Sequence, residues 1–270
     1  MRNLSTLPPS EIEGYLRYQN ELLQSRIAEL SPHPDRVKVV AVSKGVPASL
    51  MQCAVSVGIC DFGENYAQEL VEKYDQVTNK SGQLHWHFIG ALQSNKLRML
   101  ASKVSLWHSV CRKNHIEALA KLVQSPSILI QVNLDSFITD NLDHGLAADR
   151  MAVNQVAVNQ VAVNQLAAGS TQRQGISPED LDGMVEIVRS SGCRLKGLMG
   201  VGPMGDRDSV ARAFSWLGDQ ALRLGVDELS IGMSNDYELA LECGATILRL
   251  GSYFFGERQR PGKLGNHAGE

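Results

Sequence analysis

A lysine closes the first strongly apolar run of the sequence. The run "VKVVAVS", residues 37–43, is rich in β-branched residues and predicts a buried strand, and Lys44 follows it directly. Lysines at strand ends are often simply solvated. A desolvated lysine, in contrast, has a lowered pKa, and its neutral amine can attack an aldehyde. Neutrality at pH 7 would cost about 4–5 kcal/mol, so such a lysine needs burial or neighbouring positive charge.

Small residues and hydroxyls near the end of the chain predict a phosphate site. They close two further apolar runs: "SIGMSND" supplies Gly232, Ser234 and Asn235, and "LRLGSYFFG" supplies Arg249, Gly251 and Ser252. Backbone N–H groups and helix N-termini commonly hold phosphate between such segments. Ser234 and Asn235 also predict the N-cap of the helix "DYELALECG", which is compatible with phosphate binding.

The segment "FGENYAQE" places Glu64 and Asn65 at the end of another apolar run. Asn65 predicts a helix N-cap, with Gln68 following at the spacing of a capping box. A cap at this position is compatible with a contact to a ligand.

Three other motif matches are poor. "GMSND" has Asp236 where the nucleophile elbow of a serine hydrolase needs its second glycine. "GVGPMG" matches a dinucleotide-binding loop literally, but Pro203 interrupts it and no helical pattern follows at once. His85 and His87 in "HWH" would share one face of a strand, but no third metal ligand is nearby.

Eight short apolar runs alternate with helical patterns, after a first amphipathic helix over residues 12–30. The runs cover residues 37–43, 59–65, 85–90, 104–110, 127–134, 194–201, 227–234 and 246–252. Continuous hydrophobicity and strict alternation with helices are typical of a parallel sheet covered on both faces. We predict an α/β fold, a single (β/α)8 TIM barrel, with a doubly wound open sheet as the alternative. The residues that close each strand would then share one end of the barrel.

Composition restricts the partners and the compartment. The 270 residues are 43% hydrophobic and carry 26 basic against 29 acidic side chains, so nothing in the charge favours nucleic acid or a membrane surface. The five cysteines are odd in number and never form a CxxC pair, which predicts reduced, mostly buried thiols. The N-terminal segment has no apolar core, and we expect a cytoplasmic protein.

One segment breaks the alternation of strands and helices. Residues 151–165 repeat a five-residue unit, "[MV]AVNQ", whose period matches neither a helix nor a strand. We interpret residues 138–172, approximately, as a low-complexity insertion in a surface loop of one domain that spans residues 1–270. A partner-binding helix is the alternative.

Taken together, these motifs resemble the pyridoxal phosphate homeostasis protein family. The matching segments, in family order, are "VAVSKGVPAS", "FGENYAQE", "WHFIGALQSNK", "GLMGV", "LSIGMSNDYELAL" and "LRLGSYFFGER". Apart from the insertion, the resemblance covers about residues 12–258. It implies a barrel similar to the barrel domain of alanine racemase.

The resemblance also implies a cofactor and its site. Pyridoxal 5'-phosphate (PLP) would be held as a Schiff base on Lys44. Ser234, Gly251 and Ser252 would surround its phosphate, and the cofactor would be lined by Asn65, His87, Met199 and Arg249. A cationic arginine at the pyridine nitrogen would keep that nitrogen unprotonated and weaken the cofactor as an electron sink.

The function implied by the resemblance is intracellular PLP (vitamin B6) homeostasis without catalytic turnover. We expect a monomer that binds PLP and passes it to apo forms of PLP-dependent enzymes, with no nucleic acid or membrane partner. Little sequence follows the eighth run, so we expect no C-terminal β-domain of the racemase type. The alternatives are a racemase-like PLP enzyme and a cofactor-free lyase that uses Lys44 on a sugar-phosphate aldehyde.

Two positions depart from the family pattern. Arg173, within "QRQG", stands where a lysine commonly precedes Gly175, so this chain lacks a lysine there for cofactor exchange or phosphate attraction. Ser252 is often threonine in the family, a change that keeps the hydroxyl.

Overall fold

Eight parallel strands close into a barrel in the computed structural model, which describes residues 4–78, 82, 84–137 and 174–256. The strands are β1 (Lys38–Val42), β2 (Asp61–Glu64), β3 (His85–Phe88), β4 (Leu106–Val110), β5 (Ser127–Val132), β6 (Arg194–Gly200), β7 (Glu228–Ser230) and β8 (Ile247–Leu250). Each strand lies inside one of the predicted runs and pairs with its neighbours in sequence, and β8 pairs with β1. The barrel prediction is therefore confirmed, and the open sheet is excluded.

Helices follow the strands, as the alternating pattern predicts. Within the described residues the α-helices are α1 (Pro9–Leu30), α2 (Ala48–Ser56), α3 (Ala67–Tyr74), α4 (Leu97–Leu100), α5 (Lys113–Leu122), α6 (Leu181–Ser190), α7 (Arg207–Leu224), α8 (Tyr237–Glu242) and α9 (Ser252–Phe255). Short 3-10 turns occur at Leu4–Thr6, Pro34–Arg36 and Pro178–Asp180. The first helix begins three residues before the predicted start, because Pro9 suits the first helical position.

The N-terminal helix covers the part of the barrel where the chain closes on itself. The helix after β8, α9, has only four residues, and α1 packs against α2, α8 and α9. Leu16 and Leu23 of α1 are completely buried there. A helix from the start of the chain thus shields the β8–β1 seam, which α9 is too short to cover.

Two hydrophobic clusters separate the outside of the barrel from its interior. The large cluster fills the layer between strands and helices. The small one consists of Val40, Leu106, Leu129, Met199 and Ile247, one residue from each of five strands. Side chains alternate along a strand, so the residues two positions away from these also face the barrel interior.

The predicted insertion and Arg173 lie outside the described residues, as does residue 257 onward. The chain segments on either side of the insertion meet at the end of β5. There the N–H of Asn133 donates to the Ile176 carbonyl (2.8 Å), and the N–H of Ile176 donates to the Gln131 carbonyl (2.9 Å). The sheet is therefore continuous across the point where the insertion departs.

All five cysteines are free thiols, as predicted. The prediction that most of them are buried is wrong, since Cys53 and Cys193 are buried but the other three are half-buried. In the described parts of the chain, no helix has the length and apolar character needed to cross a membrane.

Candidate functional site

The lysine singled out in the sequence lies at the carboxyl end of the barrel. Lys44 follows the last residue of β1 by two positions and is half-buried. Gly45 has φ 70°, a left-handed conformation that glycine adopts without strain, so the chain turns sharply just after the lysine. Asn65 directly follows β2, and Gly251 directly follows β8, at the same end of the barrel.

The loop after β8 is adjacent to the Lys44 loop. In the β1–β8 ladder Val40 pairs with Arg249 and Ala41 with Leu250. A methyl group placed on Gly251 would lie 3.4 Å from the Cβ atom of Val42. Gly251 and Ser252 therefore stand beside the strand end that carries Lys44.

The loops after β7 and β8 are joined by a hydrogen bond. The N–H of Tyr253 donates to Ser234 Oγ at 3.2 Å, so Ser234 stands next to Gly251 and Ser252. The predicted N-cap at Ser234 and Asn235 is wrong: α8 begins only at Tyr237, and its cap position, Asp236, caps no helical N–H. The Asp236 carboxylate instead accepts a hydrogen bond from the N–H of Met233 (2.5 Å) and closes the loop before the helix begins.

Asn65 also does not cap a helix. Helix α3 begins at Ala67 with Tyr66 in the cap position and no side-chain cap, so the predicted capping box is wrong. The Asn65 Oδ1 atom is buried and has no hydrogen-bond partner among the described residues. Any side chain on Gly90 would collide with the Asn65 carbonyl oxygen, since its Cβ atom would lie 2.0 Å away. The backbones of Gly90 and Asn65 therefore pack closely together, a contact that only glycine allows.

A small cavity opens beside Asn65, between α3 and α4. Its walls include Phe88, Lys96 and Leu100. Lys44, Arg249 and Gly251 are not among the lining residues, so this cavity adjoins the mouth of the barrel but does not form its centre.

Arg249 is a buried cation within the barrel. It is 4% exposed, and its Nη1 donates to the carbonyl (2.7 Å) and the hydroxyl (2.6 Å) of Ser230, while Nη2 donates to the Gly200 carbonyl (2.9 Å). Burial lowers the pKa of Arg249 to about 10, which leaves it charged at neutral pH. Met199, on β6, is 3% exposed and belongs to the apolar interior cluster.

From Arg249 a chain of hydrogen bonds crosses the barrel interior. Ser230 Oγ lies 3.0 Å from His108 Nδ1, His108 Nε2 lies 3.0 Å from His87 Nδ1, and His87 Nε2 lies 2.9 Å from Asp61 Oδ1. A guanidinium only donates and a carboxylate only accepts. With both imidazoles neutral, one arrangement satisfies every bond: Ser230 donates to His108, His108 to His87, and His87 to Asp61.

The surroundings of these hydrogen-bonded side chains favour a neutral His108 and an ionised Asp61. Burial, together with His87 and Arg249, lowers the pKa of His108 well below its usual value. Burial raises the pKa of Asp61, but the interactions with His87 and, to a smaller extent, His85 outweigh burial and leave that pKa lowered. Asp61 is the first residue of β2, so this series of hydrogen bonds ends at the amino end of the barrel.

The predicted residues thus fall into two groups. Seven of them lie at or just inside the carboxyl end: Lys44, Asn65, Met199, Ser234, Arg249, Gly251 and Ser252. His87 lies within the barrel, and both of its ring nitrogens already bind His108 and Asp61.

Sequence reasoning missed Asp61, His108 and Ser230. The signal was available, since each is a polar residue at an inward-facing position of a predicted strand. His85 and His87 both contact Asp61, so they share one face as alternation predicts. Within the described ranges, no group of three or more His, Cys, Asp or Glu side chains is arranged to hold a metal ion.

The fold places the chain in the class of alanine racemase-like barrels. The alanine racemase of Corynebacterium glutamicum superposes with a TM-score of 0.61 at 13% identity, over 93% of this chain and 62% of the racemase chain. PipY of Synechococcus elongatus, solved with PLP bound, superposes with a TM-score of 0.67 at 27% identity, over 89% of this chain and all of PipY. No family model matches the sequence.

Sequence relatives then define the family. The pyridoxal phosphate homeostasis protein of Pseudomonas aeruginosa is 34% identical over 229 residues, which are 83% of this chain and 86% of that protein. The protein of the same description from Escherichia coli K12 is 31% identical over 239 residues, 83% of this chain and 87% of the relative. The chain belongs to the pyridoxal phosphate homeostasis protein family.

Proposed function

We propose that this chain binds PLP covalently through Lys44 and serves PLP homeostasis, without catalytic turnover. The observation that carries the proposal is the convergence of Lys44, the Ser234–Ser252 loops and the buried Arg249 at one barrel end, in a family whose member PipY was solved with PLP bound. Bound PLP supplies an aldehyde, with which a lysine amine forms a Schiff base and releases one water.

The residues at the barrel mouth fit such a cofactor. Ser234, Gly251 and Ser252 offer hydroxyls and backbone N–H groups to a phosphate where the loops after β7 and β8 meet. The buried amide oxygen of Asn65, which has no hydrogen-bond partner within the part of the chain that the structure describes, would accept from a polar group of the cofactor.

The residues inside the barrel fit the pyridine ring of the cofactor. Met199 would provide an apolar wall, and Arg249 a fixed positive charge. Both ring nitrogens of His87 bind protein groups, so His87 would contribute a ring surface and hold the interior in place, not a direct hydrogen bond.

The absence of turnover is supported by the charge of Arg249. A permanent cation next to the pyridine ring of bound PLP would disfavour protonation of the ring nitrogen, and the ring would then be a weaker sink for electrons from a substrate. A racemase-like activity is the alternative. It predicts that solvent deuterium enters the α-carbon of an amino acid at a catalytic rate, whereas a carrier predicts no such exchange.

We further propose that the protein works as a cytoplasmic monomer and supplies PLP to apo enzymes. A net charge of −3 gives the chain no overall positive charge to attract nucleic acid, which supports small-molecule binding. Transfer predicts that an apo PLP enzyme gains activity when mixed with the loaded protein.

The decisive experiment is borohydride trapping with peptide mapping. Purified protein loaded with PLP should show an absorption band that borohydride bleaches, with the reduced adduct on Lys44. Lys44→Ala should lose the adduct. Lys38→Ala should keep it, because Lys38 lies at the opposite, amino end of the same strand and is exposed.

Two results would contradict the proposal. One is a trappable band that survives in Lys44→Ala. The other is a protein that stays colourless with PLP, which would favour the cofactor-free lyase.

A further inference from the structure

A group of three charged residues, two buried and one half-buried, lies behind the Lys44 loop. The Nζ atom of Lys73, on α3, donates to Glu64 Oε1 (2.8 Å) at the end of β2 and to Glu69 Oε1 (2.6 Å) one turn earlier on α3. The side chains of Glu64 and Lys73 are 0% and 8% exposed. We call Glu64, Glu69 and Lys73 the lysine clamp.

The lysine clamp is hydrogen-bonded to the residues on either side of Lys44. Lys73 Nζ donates to the Ser43 carbonyl (2.6 Å), and Ser43 Oγ donates to Glu64 Oε1 (2.8 Å). On the other side, the N–H of Gly45 donates to Glu69 Oε1. The clamp therefore holds the peptide groups just before and just after the lysine.

A contribution to stability does not by itself explain why charged residues occupy these three positions. Buried ion pairs are often no better for stability than apolar side chains of similar volume, because desolvation offsets the attraction. Burial raises the pKa of Glu64, against the opposing effects of Lys73 and Ser43. Glu64 Oε2 is buried with no hydrogen-bond partner among the described residues, a further cost. Charged groups do, however, hold a backbone more rigidly than apolar contacts, since their hydrogen bonds are strong and directional.

We propose that Glu64, Glu69 and Lys73 are positioning residues, which fix the backbone around Lys44 so that its amine meets the aldehyde of PLP. This inference rests on the proposed function. It assigns to the clamp a role in the covalent step and none in holding the phosphate, whose candidate residues lie on the loops after β7 and β8.

Comparison of two ligands distinguishes the covalent step from the binding of the phosphate. PLP carries the aldehyde, and pyridoxine 5'-phosphate carries an alcohol in its place and binds without a covalent bond. We expect PLP retention to fall at least about tenfold in both Lys73→Met and Glu69→Gln. Glu69→Gln removes the charge that strengthens the hydrogen bond from the Gly45 N–H, and Lys73→Met removes three hydrogen bonds, among them the one to the Ser43 carbonyl. Affinity for pyridoxine 5'-phosphate should change less than about twofold, within the context-dependence of a single contact.

Two further variants serve as controls for effects on folding. Lys73→Met leaves two carboxylates unpaired, so the double variant Lys73→Met/Glu64→Gln removes charge from both sides and should recover stability without recovering PLP retention. Lys121→Met makes the same substitution at an exposed lysine in the last turn of α5 and should behave like the wild type.

Titrations of each variant with both ligands, each followed by borohydride trapping, distinguish the outcomes. A wild type without a Lys44 adduct would refute the proposed function itself. A normal adduct in the wild type, with equal PLP retention in Lys73→Met and Glu69→Gln, would overturn the positioning role alone. An equal loss of affinity for both ligands would also overturn it, because the clamp would then support the whole site.

Discussion

Asp61 is the residue that orients the polar interior of the barrel. A carboxylate cannot donate, so the side chain at this end of the hydrogen-bonded chain determines which nitrogen of His87 carries the proton. His87 then determines the tautomer of His108, and His108 the hydroxyl direction of Ser230. A substitution at the amino end of the barrel is thereby connected to Arg249, which lies near the opposite end.

The charge of Asp61 should appear in the pH dependence of stability. Its pKa is lowered in the folded protein, so the carboxylate stabilises the fold above its unfolded pKa of about 3.9, and this contribution is lost as the pH falls through the lower folded value. We expect Asp61→Asn to reduce the free energy of unfolding by about 1 kcal/mol at pH 7. The difference from wild type should shrink below about pH 4.

Urea unfolding at pH 7 and at lower pH measures this difference. Asp227→Asn is the control, because Asp227 is 85% exposed and its contact with Arg36 is long, at 3.8 Å. A deficit in Asp61→Asn that stays constant across the pH range would show that the lost charge is not the cause.

At the scale of elements, α1 is part of the barrel wall. It precedes the first strand in sequence but packs across the β8–β1 seam, against α2, α8 and α9. Its buried face includes Ile12, Leu16, Leu23 and Ile27, at helical spacing. This helix therefore ties the start of the chain to the two loops that are proposed to hold the phosphate.

Adjacent leucines on α1 test this packing. Leu23 is completely buried and Leu22 is 43% exposed, so the same substitution at both positions separates burial from helix propensity. We expect Leu23→Ala to lower the free energy of unfolding by about 2–5 kcal/mol and Leu22→Ala by less than about 1 kcal/mol. Chemical denaturation of both variants measures the difference, and equal effects would show that α1 is not packed on the barrel.

For the whole molecule, closure of the barrel brings together segments that are far apart in sequence. Lys44 and Gly251 are separated by most of the chain, yet they follow neighbouring strands, because β8 pairs with β1. The insertion departs after β5, where Asn133 and Ile176 are already joined. All eight strands lie within residues 38–132 and 194–250, on either side of the insertion.

Removal of the insertion is the corresponding test. We expect that replacing residues 138–172 with about six glycine and serine residues leaves PLP binding unchanged. A shorter closed loop loses less entropy on folding, so stability should be equal or higher by about 1–2 kcal/mol. Thermal unfolding and the PLP absorption band are the measurements. Loss of the folded state would mean that the insertion contributes to the core.

Local sequence was sufficient to predict the strands and the first helix, and to identify Lys44 at the end of β1. The apolar runs and their alternation with helices depend on neighbouring residues alone, and all eight predicted strands formed. Helix starts were less predictable: the caps expected at Asn65 and Ser234 failed because each loop continues for one or two residues before its helix. Backbone geometry in such loops depends on contacts with other loops.

The hydrogen-bond partners of the polar side chains inside the barrel were determined only by the tertiary structure. Periodicity shows that His87, His108 and Ser230 face inward, but not that they bond to one another, since this depends on strand register and on the stagger of the closed sheet. The same holds for Lys73, whose helical position predicts a partner at Glu69 but not at Ser43, 30 residues earlier. The sequence alone pointed to the lysine and its aldehyde chemistry; barrel closure determined which distant charges surround it.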